Sequence, residues 1–359
     1  MMLETPSLPP RLIHLPGGLR LLDEQTDKIV LQLHARKPYA TMATPEYSQV
    51  YATVAQIGLP TIGVEFLTLD TLRGVAAPDW QVASPSQGFA LRAERNAWSQ
   101  VRTLAQKDGR DFDADLANRA VTYLDLAAIR LLDLSNCYSR VLIAFDHDSD
   151  ARQKIGILYR DGFVTALEAA IHAFAADAAS FRDLIVEAAW RLLKLGDQEV
   201  RKIGKFCQFY KSKIGTNPIG DALWSVARDG WLGQFSNLRD DITHAAPIGG
   251  RGIRDCTVRA HQLGKSIVPR LHYPLFGSDG KLFDDSLYAD FSDDARARAT
   301  MKRYVFWSDG AVDALDYAWQ VTDKLVALLG QVRIASGIRG EMPTITDKDI
   351  TGPVVIGRG

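Results

Sequence analysis

The chain is short of cysteine and of long apolar runs, and each shortage closes off a class of proteins. Its three cysteines, Cys137, Cys207 and Cys256, are odd in number, far apart and without a CxxC pair. Neither a disulfide framework nor a thiolate zinc site is expected from them. Although 47% of the 359 residues are hydrophobic, no stretch approaches the roughly 18 uninterrupted apolar residues that a membrane span needs. The first ten residues carry Glu4 and three prolines rather than a basic segment followed by an apolar one, so a cytoplasmic protein with no membrane partner is expected. A HExxH pair, an EF-hand register, a GxxxxGK(S/T) loop and a GxSxG elbow are all missing. These absences argue against the common zinc, calcium, nucleotide and serine-nucleophile sites. There is no internal repeat and no low-complexity tract.

Charge of either sign is nearly balanced, with a formal net of -1. The balance hides an asymmetry: from Arg191 to Lys281, fifteen lysines and arginines stand against eight acids. Such a segment gathers phosphate where the fold brings its charges to one surface.

Nine of the fifteen prolines fall in residues 1–88, a spacing through which no long helix can run. Lys28–His34 and Thr61–Thr68 are rich in β-branched residues, and one or two strands are expected there. From Phe89 onward the apolar spacing becomes helical. Helices are expected over 90–105, 113–145, 200–214, 221–245, 295–307 and 310–338. Residues 163–195 read as two helices joined near Asp177–Ser180, with Ser180 capping the second. The fold class is therefore mainly α: a helical bundle over residues 89–340, preceded by a mixed, partly extended N-terminal region. Residues 247–293 are rich in Gly and Pro and read as a long connection or small excursion, and 341–359 as a poorly anchored tail.

Arg239-Asp240-Asp241-Ile242-Thr243-His244 is the strongest chemical signal. An arginine fork matches phosphate oxygens, and an imidazole with a pKa of about 6.5 both takes and gives a proton near neutral pH. RNA cleavage needs a base for the 2′-OH, an acid for the departing 5′-oxygen and a fixed cation for the phosphoryl charge. On an ideal α-helix, residues five apart lie about 140° apart around the axis and about 7.5 Å along it. Convergence of Arg239 with His244 therefore requires a distorted helix end, or a second copy of the chain across a dimer interface.

These residues, with Leu238 before them and Pro247 after, resemble the signature of the HEPN superfamily, an Arg, a polar residue, a short spacer and a His near a helix end in a helical bundle. The resemblance implies a metal-independent endoribonuclease without cofactor, acting as a toxin or antiviral defence effector on RNA, as a homodimer whose two motifs face one cleft. It assigns Arg239 to the phosphoryl charge, His244 to acid/base work and Asp240 to the polar position, where the family more often has Asn.

Against this stands a plain surface arrangement, with Arg239 paired to Asp240 or Asp241 and His244 complementing a helix dipole. The matching alternative function is a non-catalytic helical module that binds nucleic acid, nucleotide or a regulatory protein partner. Gly249-Gly250-Arg251-Gly252-Ile253-Arg254 follows the motif, and Arg251 and Arg254 are candidate substrate contacts on a flexible loop. A third possibility is a cation held by Asp146, His147 and Asp148, although a helix end followed by an N-cap explains the same residues with less. Trp190, Trp224, Trp231, Trp307 and Trp319 are expected in the core, and His172 as a buried, satisfied histidine.

Overall fold

Prolines and short apolar alternation give strands in the first quarter of the chain, and sustained apolar periodicity gives helices in most of the remainder. The computed structural model describes residues 10–23, 28–32, 38–43, 49–56, 58–84, 88–147, 158–245, 256–263, 266–277 and 292–338. In chain order the elements are β1 (Arg11–His14), β2 (Arg20–Asp23), β3 (Lys28–Gln32), β4 (Pro38–Ala43), α1 (Val50–Ala55), β5 (Gly63–Phe66), α2 (Leu69–Leu72), β6 (Asp79–Val82), α3 (Ala90–Lys107) and α4 (Asp111–His147). They continue with β7 (Leu158–Tyr159), α5 (Gly162–Leu192), α6 (Ile203–Tyr210), α7 (Pro218–Arg228), α8 (Trp231–Asp240), β8 (Cys256–Leu263), β9 (Ser266–His272), β10 (Pro274–Phe276), α9 (Asp294–Ser308), β11 (Val312–Asp313) and α10 (Ala314–Ala335). The architecture is mainly α with a mixed N-terminal region, as the sequence leads one to expect.

The N-terminal strands form an antiparallel sheet in the order β4-β3-β2-β1-β5-β6. Only β3 and β5 are foreshadowed by the sequence, because they lie in stretches rich in β-branched residues, which β1, β2, β4 and β6 do not. Ile13, Leu21, Ile29 and Val64 are fully buried from the sheet and join one apolar core with the helices. Two indoles pin the sheet down: Trp80 Nε1 donates to the Ala128 carbonyl at 2.9 Å, and Trp319 Nε1 to the Ala83 carbonyl at 2.6 Å.

Helix α4, 37 residues and about 55 Å long, is the spine. It packs along α3 and α5, and α10 closes the bundle against all three. Arginine forks tie the helices together at their rims. Arg333 holds Glu94 at 2.8 and 3.0 Å, Arg119 holds Glu187 at 2.9 and 3.2 Å, and Arg130 reaches Asp177 at 2.6 Å.

Two helix boundaries differ from expectation. Residues 162–192 form one unbroken helix, and Ser180 caps nothing: its hydroxyl donates back to the Ala176 carbonyl at 3.1 Å. The polar Asp177 that looks like a break instead receives Arg130 from α4. Conversely, 221–245 is not one helix. It starts earlier, at Pro218, where Asn217 caps Ile219 and Gly220 at 3.0 Å each, and it divides at Gly230. A Cβ there would lie 2.8 Å from Val226 Cα, so the tight α7–α8 corner needs glycine.

The 247–293 stretch contains a hairpin, β8–β9, which joins β7 in a three-stranded antiparallel sheet. Beside it, β10 pairs with β11 at the start of α10. Asp313 locks this corner. Its carboxylate accepts from Leu315 N, Asp316 N, Tyr138 Oη and Tyr273 N, at 3.0, 3.3, 2.9 and 2.9 Å. Among the described residues no helix is long and apolar enough to cross a membrane.

Candidate functional site

The motif lies at the end of α8. Leu232, Phe235 and Leu238 bury one face of that helix, and Arg182 of α5 bonds Ser236 at 2.9 Å to hold it on the bundle. Arg239, one residue past the last buried leucine, consequently reaches the surface with its side chain 36% exposed. Its Nη1 donates to Asp240 Oδ1 at 2.9 Å. Among the paired arrangements open to the sequence, Asp240 is thus the partner found.

Immediately afterwards the backbone changes winding. Asp241–Ala245 is a π-helical turn, closed from residue i to i+5 rather than i to i+4. The wider turn carries backbone position 244 back toward the side of position 239, which a regular α-helix would miss by about 140°. The distorted helix end that convergence requires is therefore present. Ile242 is buried within it and anchors the turn. The side chain of His244 lies outside the described part of the structure, and so do Arg251 and Arg254.

Elsewhere, Asp146 and His147 form the last residues of α4, the helix end foreseen for them, whereas Asp148 lies outside the described residues. Among the described residues no group of three His, Cys, Asp or Glu side chains is placed to hold a metal ion. The cysteines are free thiols, and burial pushes those of Cys137 and Cys207 toward the protonated form. Trp190 and Trp319 are buried, Trp224 and Trp231 partly so, and the Trp307 side chain is outside the described set. His172 is half-buried and engaged rather than fully enclosed.

The structure also assembles a group that no local motif announces. His14 of β1 lies between Ser135 of α4, with Nδ1 at 2.8 Å from Oγ, and Glu65 of β5, with Nε2 at 2.6 Å from Oε1. Burial, the largest influence, lowers the His14 pKa to about 4, so near neutral pH the ring is uncharged. Burial alone would raise the Glu65 carboxyl, but the hydrogen bond from His14, with the charge of Arg20, holds it below its ordinary value. With Glu65 ionised, Nε2–H donates to it and Nδ1 accepts from Ser135.

The composition is that of a Ser-His-Glu triad, yet Ser135 is 1% exposed and His14 is wholly enclosed. Its neighbours on the helix have already used their backbone N–H groups, leaving no oxyanion donors. The group joins the sheet to α4, and no substrate reaches it. Sequence separations of 51 and 121 residues are the reason spacing alone gives no hint of it. Comparison of the chain with protein-family models, curated proteins and solved structures gives no match.

Proposed function

We propose that the chain is a metal-independent endoribonuclease of the HEPN type, in which Arg239 and His244 act on one scissile phosphodiester. The observation that carries this reading is the π-helical turn at Asp241–Ala245, directly after Arg239 and Asp240. Such turns are rare and recur at functional sites, and this one narrows the angular separation between the two motif positions. The surface exposure of Arg239 and the surplus of basic residues between 191 and 281 support it further.

In this chemistry His244 takes the proton of the ribose 2′-OH, whose oxygen attacks the adjacent phosphorus. Arg239 offsets the charge that builds on the phosphoryl oxygens, with Asp240 orienting its guanidinium. The P–O5′ bond breaks, the leaving oxygen receives a proton, and a 2′,3′-cyclic phosphate and a 5′-hydroxyl result. A homodimer lets one histidine act as base and its twin as acid. Arg251 and Arg254 contact the RNA backbone, and a toxin or defence role under a regulatory partner fits such an activity.

A single-turnover RNA cleavage assay with excess EDTA tests the proposal. Arg239→Ala and His244→Ala are each expected to slow cleavage at least about 100-fold, with the cyclic phosphate detected on the wild-type product. Cleavage that survives the double substitution, or that EDTA abolishes, overturns it. One observation favours a second reading: the Arg239–Asp240 pair, complete within its own helix, also suits a module that binds RNA without cutting it. That module would retain RNA in a filter-binding assay and yield no product.

A further inference from the structure

Arg259 of β8 and Arg270 of β9 are direct cross-strand partners, an arrangement that repels unless negative charge stands over it. Two residues along each strand, His261 and His272 continue the same face. The Gly310–Asp313 segment and the first turns of α10 lie against it, lining a half-open cavity of about 380 Å³ to which Asp313, Asp316 and Gln320 also contribute. That size is at the lower end of the roughly 300–1,000 Å³ typical of ligand pockets.

The internal pairing is incomplete. Arg270 Nη2 reaches Asp316 Oδ2 at 3.0 Å, but Arg259 gives one N–H to the Ser308 carbonyl at 2.8 Å and meets no carboxylate among the described residues. Asp313 is saturated by the bonds that hold the α10 corner. Three buried polar atoms here lack any partner: His261 Nε2, His272 Nε2 and Asp316 Oδ1. His272 is only 8% exposed. A buried polar group without a partner destabilises the fold, and three such atoms gather at this one cavity.

Their chemistry indicates what is missing. Burial, then the two arginines, lowers His272 to about 3, and burial with Arg270 lowers His261, so both rings are neutral near neutral pH; the one N–H of His272 is turned to the Ser308 backbone, which leaves its Nε2 as an acceptor. Two guanidinium groups at cross-strand spacing suit an anion with several oxygens spread in three dimensions. A carboxylate, with two oxygens in one plane, is matched by one arginine. The partnerless Asp316 Oδ1 calls for a donor on the same molecule.

We infer that this cavity binds a small phosphate-bearing molecule, its phosphoryl oxygens bridging Arg259 and Arg270 and a hydroxyl of the ligand donating to Asp316. The site lies on β8, β9 and α10, apart from the α8 motif, and stands whether or not the chain cleaves RNA.

Calorimetric titration of the full chain in phosphate-free buffer, with inorganic phosphate, ribose 5-phosphate and acetate as probes, tests it. Saturable binding of either phosphate and none of acetate is expected, and tighter binding of ribose 5-phosphate identifies a sugar phosphate rather than the free ion. Arg259→Gln removes the charge and the fork while keeping a polar amide at this position, and should stay folded while binding at least about tenfold more weakly. If that variant does not fold, Arg259→Lys retains the charge without the fork and should show a smaller loss of the same kind. Arg239→Ala should bind the phosphates as the wild type does. Absence of saturable heat with both phosphates, equal binding of acetate, or wild-type affinity in a folded Arg259 variant overturns the inference.

Discussion

Two groups of buried polar side chains, one under the N-terminal sheet and one between β8–β9 and α10, look alike in composition and differ in whether their needs are met. Under the sheet, Arg11 gives Asp23 two bonds at 3.0 and 2.7 Å, and both ring nitrogens of His14 are taken. Beside α10, two imidazole nitrogens and a carboxylate oxygen at the cavity have no protein partner among the described residues. The first group is closed and serves stability. The second retains polar atoms that no protein group among the described residues satisfies, and polar residues alone would not have told the two apart.

The sharpest way to break that contrast is Asp23→Ala, which takes the carboxylate away from the Arg11 guanidinium, 1% exposed. A loss of about 3–5 kcal/mol is expected in urea unfolding. The cavity side gives the next effect, and a pH dependence with it. Burial, and then the charge of Asp313, raises the Asp316 carboxyl from 3.8 to about 7. Between those values the folded state therefore holds a proton that the unfolded state releases, and its stability falls as pH rises from about 4 to about 7. Asp316→Asn removes this slope, so its stability relative to wild type should improve across the window by on the order of 2–4 kcal/mol. A constant offset between the two unfolding curves would contradict the raised carboxyl.

His14, lowered to about 4, acts in the opposite sense. Its contribution is present above about pH 6.5 and is lost as pH falls toward 4, and His272 adds to that acid sensitivity from the cavity side. The smallest of these effects is expected from Ser135→Ala, which leaves His14 Nδ1 buried without a donor and should cost about 1–3 kcal/mol. Loss of hydrolytic activity in that variant with unchanged stability would instead mean that the Ser135–His14–Glu65 group is a working triad.

How much of this is legible in the chain depends on the distance over which each feature is decided. The long helices α3, α4 and α10 follow from apolar spacing within one segment, and β3 and β5 from β-branched runs. The Arg239-to-His244 pattern is likewise local, whereas the π-helical turn at Asp241–Ala245 is seen only in the structure. The unbroken α5 was not legible, because Asp177 and Ser180 resemble a junction until Arg130 of α4 is seen to occupy Asp177. The break at Gly230 was missed for the converse reason, since glycine weakens a helix modestly and the corner is fixed by contact with Val226.

What the sequence determined by itself is a mainly α chain with a proline-interrupted, extended start and one Arg-to-His pattern of six residues, since periodicity, β-branching and a short pattern are properties of neighbours along the backbone. Only the tertiary structure decided that His14 would be sealed between Ser135 and Glu65, and that Arg259 would face Arg270 across a strand pair beneath α10. Burial and electrostatic pairing act through space, and residues that meet across separations such as 121 positions leave no period in the chain to be read.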